Sequence, residues 1–262
     1  MSIHPTALVD SSAEIDANVE IGAFSIVGPN VKIGSGTVVK SHVVINGHTT
    51  IGCDNEIYQF SSVGEANQDK KYNDEPTQLI IGDRNVIREN ATLHRGTIQD
   101  DGVTMIGSGN LFMASTHIGH DCIVGDDNIM ANYAALAGHV TIGDSILLGG
   151  YTGIHQFCRI GSFSMCGMGS MVTKDVPEYV MVSGNPSSAH GMNFEGMKRR
   201  GMDAAVIKAL RDSYKLVYLK GLKLDDALVE LEQGLAKDFK EVFSFVQSFR
   251  LSKRGVIRPG KK

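Results

Sequence analysis

The sequence has no apolar run approaching the roughly 20 residues that cross a bilayer. Its N-terminus, MSIHPTALVD, has neither the basic nor the apolar region of a secretory leader. These two lacks point to a cytoplasmic chain without a transmembrane segment. Only four cysteines occur in 262 residues, Cys53, Cys122, Cys158 and Cys166, and none forms a CxxC pair. That is too few for a disulfide scaffold in a chain this long, so reduced thiols are expected. A net charge of −4 lacks the basic excess of a nucleic-acid binder, and 42% hydrophobic content suits one large domain, or one large and one small.

What is present is a repeat. Steps of six from Ile3 reach Val9, Ile15, Ile21, Val27, Ile33, Val39, Ile45, Ile51, Ile57 and Val63, every one of them Ile or Val. Steps of six from Ile106 reach Phe112, Ile118, Val124, Met130, Leu136, Ile142, Leu148, Ile154, Ile160, Cys166 and Val172, again without a break. An α-helix would scatter such positions around its circumference and an ordinary strand needs period 2. A hexapeptide parallel β-helix needs period 6, with three hexads closing a triangular coil of about 18 residues around inward aliphatics. The pairs Ile33-Gly34 and Ile51-Gly52, and later Ile106-Gly107, Val124-Gly125, Ile142-Gly143 and Ile160-Gly161, recur at that longer spacing. Glycine is expected to supply tight corners there.

Two interruptions stand out. Residues 64–80, GEANQDKKYNDEPTQLI, are polar and lack the inward aliphatic, so they read as a loop ejected from the coil. Between Leu93 and Ile106 the spacing is 13 instead of 12, which implies a small bulge or loop. The repeat fades after Pro177 and gives way to helical periodicity, which divides the chain into a β-helix over 1–189 and a helical domain over 190–262. In DAAVIKALRDSYKLVYLKG, Asp203 is placed to cap a helix that Gly221 stops, and LDDALVELEQGLA and FKEVFSFVQSFRL read as two more amphipathic helices. Residues 1–185 carry 9 Lys or Arg against 20 Asp or Glu, and residues 186–262 carry 16 against 9, giving −11 and +7. A basic tail on an acidic solenoid suits an acidic partner or a phosphate-bearing ligand.

Residues 18 apart stack on adjacent rungs about 4.8 Å away. That places Asp121 against His139, and His120 against Gly138 with Gln156 one rung further. His117 and His155 join the same patch. A histidine can take a proton from a hydroxyl, a neighbouring carboxylate can fix its tautomer, and a glycine can offer its N–H to an oxyanion. The same spacing separates Cys122 from Cys158 by two rungs, beyond disulfide reach.

The hexads together with VGEANQDKKY, LHRGT, THIGHDC, LAGHV, GIHQFCRIG, GNP and MNFEGMKRRG resemble the UDP-N-acetylglucosamine O-acyltransferases that begin lipid A biosynthesis. The resemblance covers essentially the whole chain. It implies a homotrimer of left-handed parallel β-helices, with acyl carrier protein as acyl donor, UDP-N-acetylglucosamine as acceptor, and neither cofactor nor metal. It implies His120 as general base, Asp121 as its support and Gly138 as the oxyanion N–H donor. His117, His139, His155 and Gln156 match sugar- and acyl-contacting positions, while Gln68, Asp69 and Lys71 match loop residues reaching across a subunit boundary. Asn193, Glu195, Arg199 and Arg200 match the nucleotide end, where guanidinium groups suit a diphosphate. Met168 matches the position at which the acyl chain ends, and a methionine there implies a 3-hydroxyacyl chain of about ten carbons, by filling the space of about four methylenes.

Other readings stay open at this point. The N-acyltransferases of the same pathway carry an extra N-terminal domain, whereas hexads start here at Ile3. Trimeric β-helical zinc hydratases place three histidines across a subunit interface, and His117, His120 and His139 offer three, without the usual ligand spacing. A non-catalytic scaffold leaves the stacked base, carboxylate and glycine unexplained. Whether the acceptor bears a 3-hydroxyl or a 3-amino group is likewise undecided, because one base serves both.

Overall fold

The computed structural model describes residues 1–260. Short strands, mostly of two residues, stack into three sheets of 11, 9 and 8 strands, and the chain visits the sheets in rotation. The first sheet runs through Ile3, Ile21, Val39 and Ile57, the second through Val9, Val27, Ile45 and Val63, and the third through Ile15, Ile33 and Ile51. The result is a left-handed parallel β-helix, a triangular prism with a hexad on each face. Each inward aliphatic from Ile21 to Val172 is 3% exposed or less, because the coils above and below cover it. Ile3 is 37% exposed, as no coil covers the first rung.

Register locates the interruptions. Ile51 pairs with Ile81, 30 positions on, so the first loop adds twelve residues to the normal 18 and occupies residues 66–77, inside the expected 64–80. Ile81 pairs with Ile106, 25 positions on. Of the small bulge or loop expected there, the structure has a loop, an insertion of seven residues within 95–102. A hexad plus seven has nearly the length of two hexads, which hides the loop from a count of inward residues. Both loops leave the prism at the corner where the second sheet turns into the third, on successive coils.

The corner glycines also differ from expectation. Gly34, Gly52, Gly107, Gly125, Gly143 and Gly161 do not adopt positive φ. The left-handed residues come two positions later, as at Asp54 (φ 56°) and Asp127 (φ 55°). Glycine is needed two positions earlier because adjacent coils touch: a Cβ on Gly34 would lie 2.7 Å from the carbonyl carbon of Gly52.

Past Val172, strand Val180–Gly184 extends the first sheet in parallel and Ser187–Met192 closes it antiparallel, so sheet pairing runs to Met192. Five helices follow: α1 (Phe194–Arg199), α2 (Ala204–Tyr218), α3 (Leu224–Gln233), α4 (Leu235–Asp238) and α5 (Lys240–Arg250). The Asp203 carboxylate accepts the Ala205 N–H at 2.6 Å, the N-cap that satisfies one of the free donors of α2. The helix expected over LDDALVELEQGLA breaks at Gly234 into α3 and α4. The chain then returns to the prism: Ile257 N–H donates to the Asp175 carbonyl at 2.9 Å, and Glu178 N–H donates to Ser248 Oγ of α5 at 3.2 Å. The buried side chains of coil and helices form one continuous apolar cluster. No helix among the described residues is long and apolar enough to cross a membrane.

Candidate active site

The corner between the second and third sheets, which ejects both loops, carries on its next rungs His120-Asp121, Gly138-His139 and Gln156-Phe157. Asp121 and His139 hold the left-handed corner conformation, with φ of 58° and 61°. The 18-residue stacking therefore brings His120 and Gly138 together: a Cβ on Gly138 would run into the His120 imidazole. The Gly138 N–H has no backbone hydrogen-bond partner among the described residues, since corner amides at this position do not join the ladder.

Asp121 is 6% exposed and has its carboxylate fully engaged. Oδ1 accepts the Thr97 N–H at 2.8 Å, and Oδ2 accepts the Thr97 hydroxyl at 2.7 Å and lies 2.8 Å from His120 Nδ1. Burial opposes its ionisation, but the His120 and Thr97 donors and the charge of His139 together hold the carboxyl below its usual range. An ionised carboxylate only accepts, so His120 donates from Nδ1 and carries its lone pair on Nε2. The His120 ring lines a cavity of about 420 Å³ shared with His117, Gly138 and Gln156.

His139 packs behind this pair. Its ring stands edge-on to His120, with centroids 4.9 Å apart, and stacks on Phe157 at 4.5 Å. Its Nδ1 lies 2.9 Å from Asp100 Oδ2, and its Nε2 is 3.8 Å from Asp121 Oδ2. Burial first, then the nearby charge of His120, pushes His117 below the usual histidine range, and its Nδ1 shares a 2.8 Å hydrogen bond with Thr92 Oγ1.

The second loop thus contributes Thr97 and Asp100, neither of them apparent from the sequence. The signal for them was the 13-residue spacing, taken as a hexad plus seven. His94, in LHRGT, is also new: it is 5% exposed, stands edge-on to His117 at 5.1 Å, and lines the cavity. Burial, reinforced by the charge of His117, pushes its pKa down to about 4.

The remaining residues separate. Gln68 and Asp69 line the cavity beside His117 and His120 of their own chain. Lys70 lines it too, whereas Lys71 is exposed outside it. His155 is exposed, with Nδ1 3.2 Å from the Gln156 carbonyl. Met168 is 80% exposed at a different corner, between the first and second sheets. Asn193 caps α1 by accepting the Gly196 N–H at 3.0 Å and donates to the Phe163 carbonyl at 3.0 Å, so its amide is committed to structure. Glu195 pairs with Lys198 at 3.1 Å, and Arg199 is exposed. Arg200 donates to the Asp127 carbonyl at 3.1 Å, at the third corner of the prism, between the third and first sheets.

Residues 175–257 match the family model described as UDP-N-acetylglucosamine O-acyltransferase, domain 2, and residues 12–47 match bacterial transferase hexapeptide repeats. The chain is 58% identical over 257 residues to the acyl-[acyl-carrier-protein]–UDP-N-acetylglucosamine O-acyltransferase of Ectopseudomonas mendocina (strain ymp), covering 98% of this chain and 99% of that one. The chain belongs to this acyltransferase family. The solved structure of LpxA from Acinetobacter baumannii superposes with a TM-score of 0.95 at 52% identity, over 98% of this chain and 99% of the other. The Francisella novicida UDP-N-acetylglucosamine acyltransferase superposes with a TM-score of 0.96 at 40% identity, over 99% and 95%. The acyltransferase likeness thus spans prism and helices together.

Proposed function

We propose that this chain transfers a 3-hydroxyacyl group from acyl carrier protein to the 3-hydroxyl of the glucosamine in UDP-N-acetylglucosamine, the first step of lipid A synthesis. The observation that carries the mechanism is the Asp121–His120 pair opening onto a cavity beside a glycine whose N–H has no backbone partner. The sugar hydroxyl attacks the thioester carbonyl while His120 Nε2 takes its proton, Asp121 holding the ring through Nδ1 and favouring the imidazolium. The tetrahedral oxyanion accepts the Gly138 N–H. Collapse expels the carrier thiolate, which recovers the proton from His120 and leaves as the thiol. His117, largely neutral at pH 7, contacts substrate by hydrogen bonding and not by charge.

The corners also support a homotrimer. Arg199 and Arg200 suit the diphosphate but lie at a different corner from His120, and Met168 lies at the remaining one. In a homotrimer with the active sites between subunits, one chain's base meets another chain's arginines, and Met168 bounds the acyl groove. Mixing His120→Ala with Arg200→Ala subunits should restore part of the activity that each lacks alone. Full activity in a monomer would rule this assembly out.

The deciding experiment is mass spectrometry of the product formed from UDP-N-acetylglucosamine and a mixture of 3-hydroxyacyl carrier proteins. The expected product carries a chain of about ten carbons, and Met168→Gly should shift preference toward about fourteen, since it frees the space of about four methylenes at roughly 0.8 kcal/mol each. The same preference in parent and variant would remove Met168 as the ruler, and no acylated nucleotide sugar at all would overturn the function.

A further inference from the structure

The cluster His120, Asp121 and His139 has a property that proton transfer does not use. His139 gives its Nδ1–H to Asp100, 2.9 Å away, so a neutral ring turns a bare Nε2 toward Asp121 Oδ2. At 3.8 Å these two acceptors share no hydrogen bond. His120 Nδ1 lies 2.8 Å from the same oxygen, and one ligating atom from each of the three residues falls within 4.8 Å of the others. Two imidazoles and a carboxylate converging in this way suit a borderline divalent cation, and a tetrahedral zinc would need the three atoms roughly 3.5 Å apart. The outer support is already in place: Asp100 orients His139, and Thr97 holds both oxygens of Asp121.

We infer that this triad is an inhibitory zinc site, in which His120 Nδ1, Asp121 Oδ2 and His139 Nε2 hold the ion and the catalytic base is switched off. Zinc takes the place of the proton on His120 Nδ1. The single proton of the neutral ring then sits on Nε2, the nitrogen that faces the cavity, and no lone pair is left there to accept the substrate's proton. Asp121 keeps its Oδ1 bond to the Thr97 N–H, so binding asks for side-chain adjustment and no change in the coil. The inhibitory consequence rests on the acyltransferase reading, whereas the ion site does not.

The test uses the full-length protein carrying Cys53→Ser, which removes the only exposed thiol among the described residues. Cobalt(II) alone should bind at one equivalent per chain with visible ligand-field bands that one equivalent of zinc erases. His139→Ala and Asp121→Asn should each abolish the bands, and Asp100→Asn should weaken the ion's affinity by about 10–100-fold. One equivalent of zinc should slow acyl transfer at least about tenfold, a chelator should restore it, and the residual rate of His139→Ala should ignore zinc. Bands that persist in both His139→Ala and Asp121→Asn overturn the site. Zinc binding with an unchanged rate overturns its inhibitory role. Metal-free protein that transfers no acyl group counts against the function and leaves the cobalt spectrum to decide the site.

Discussion

Two corners of the same prism stack polar side chains rung upon rung, and they do opposite things with them. At the corner between the third and first sheets, Asn55, Asn85, Asn110 and Asn128 form a buried ladder. The Oδ1 of each accepts the backbone N–H of the next rung, at 2.8 to 2.9 Å, ending at Ile146. At the corner between the second and third sheets the rungs carry His120-Asp121, Gly138-His139 and Gln156-Phe157, and two loops stand just before them. Repeating one residue lets a polar column satisfy the backbone N–H of each following rung and become structure. Changing the residue at each rung leaves groups, His120 Nε2 and the Gly138 N–H, directed at something else. The period is common to both columns, so function lies in departures from the repeat.

The sharpest way to break this comparison is to cut one rung from each column. His120→Ala should lower turnover by about 10²–10⁴, the usual contribution of a general base, with little change in the unfolding transition. Near-normal turnover would remove His120 from the mechanism. In the ladder, Asn85→Ala strands the buried Asn110 N–H, a loss of about 1–3 kcal/mol of stability per unsatisfied group. Denaturant melts should record that loss while kcat per folded molecule stays unchanged. A fall in kcat without loss of stability would mean that the ladder is not purely structural.

A smaller effect should separate the prism from its basic tail. Residues 186–262 carry +7 against −11 for 1–185, so docking of an acidic carrier protein should weaken as salt shortens the Debye length from about 10 Å at 0.1 M to about 3 Å at 1 M. The Michaelis constant for the acylated carrier should rise across that range, and salt insensitivity would assign the tail another role.

The same contrast sets how much could be read from the sequence. Eleven unbroken Ile or Val positions from Ile3 reveal the coil, because stacked coils bury that position of every hexad once a coil lies on either side, from Ile21 on. The 18-residue period alone then puts His120 beside Gly138 and Asp121 beside His139, as observed. Asp203 was legible as a cap because capping is local. Thr97, Asp100 and His94 were not legible: their placement depends on a seven-residue insertion whose length mimics a hexad, and insertions obey no period. Gln68 and Asp69 were recognised, yet their wall position in their own cavity depends on how the first loop folds back, which spacing cannot report.

Acid should distinguish the two corners by the smallest measurable effect. No asparagine titrates, whereas His94, under the loops, has its pKa pushed down from 6.5 to about 4 by burial and by the charge of His117. The folded state therefore binds this proton less readily than the unfolded chain. As pH falls from about 6.5 the unfolded chain gains a proton that the folded chain refuses, stability declines down to about pH 4, and it levels off once both forms are protonated. Asp121 acts later: its lowered pKa gives stability that is present above about pH 3.8 and lost below it. Between pH 7 and 5, amide-exchange protection, corrected for the intrinsic rate at each pH, should fall in loops 66–77 and 95–102 more than at the Asn85, Asn110 and Asn128 amides. His94→Gln should flatten that difference. An equal loss of protection at both corners, or a difference unchanged by His94→Gln, would show that this buried histidine does not govern the acid response of the site.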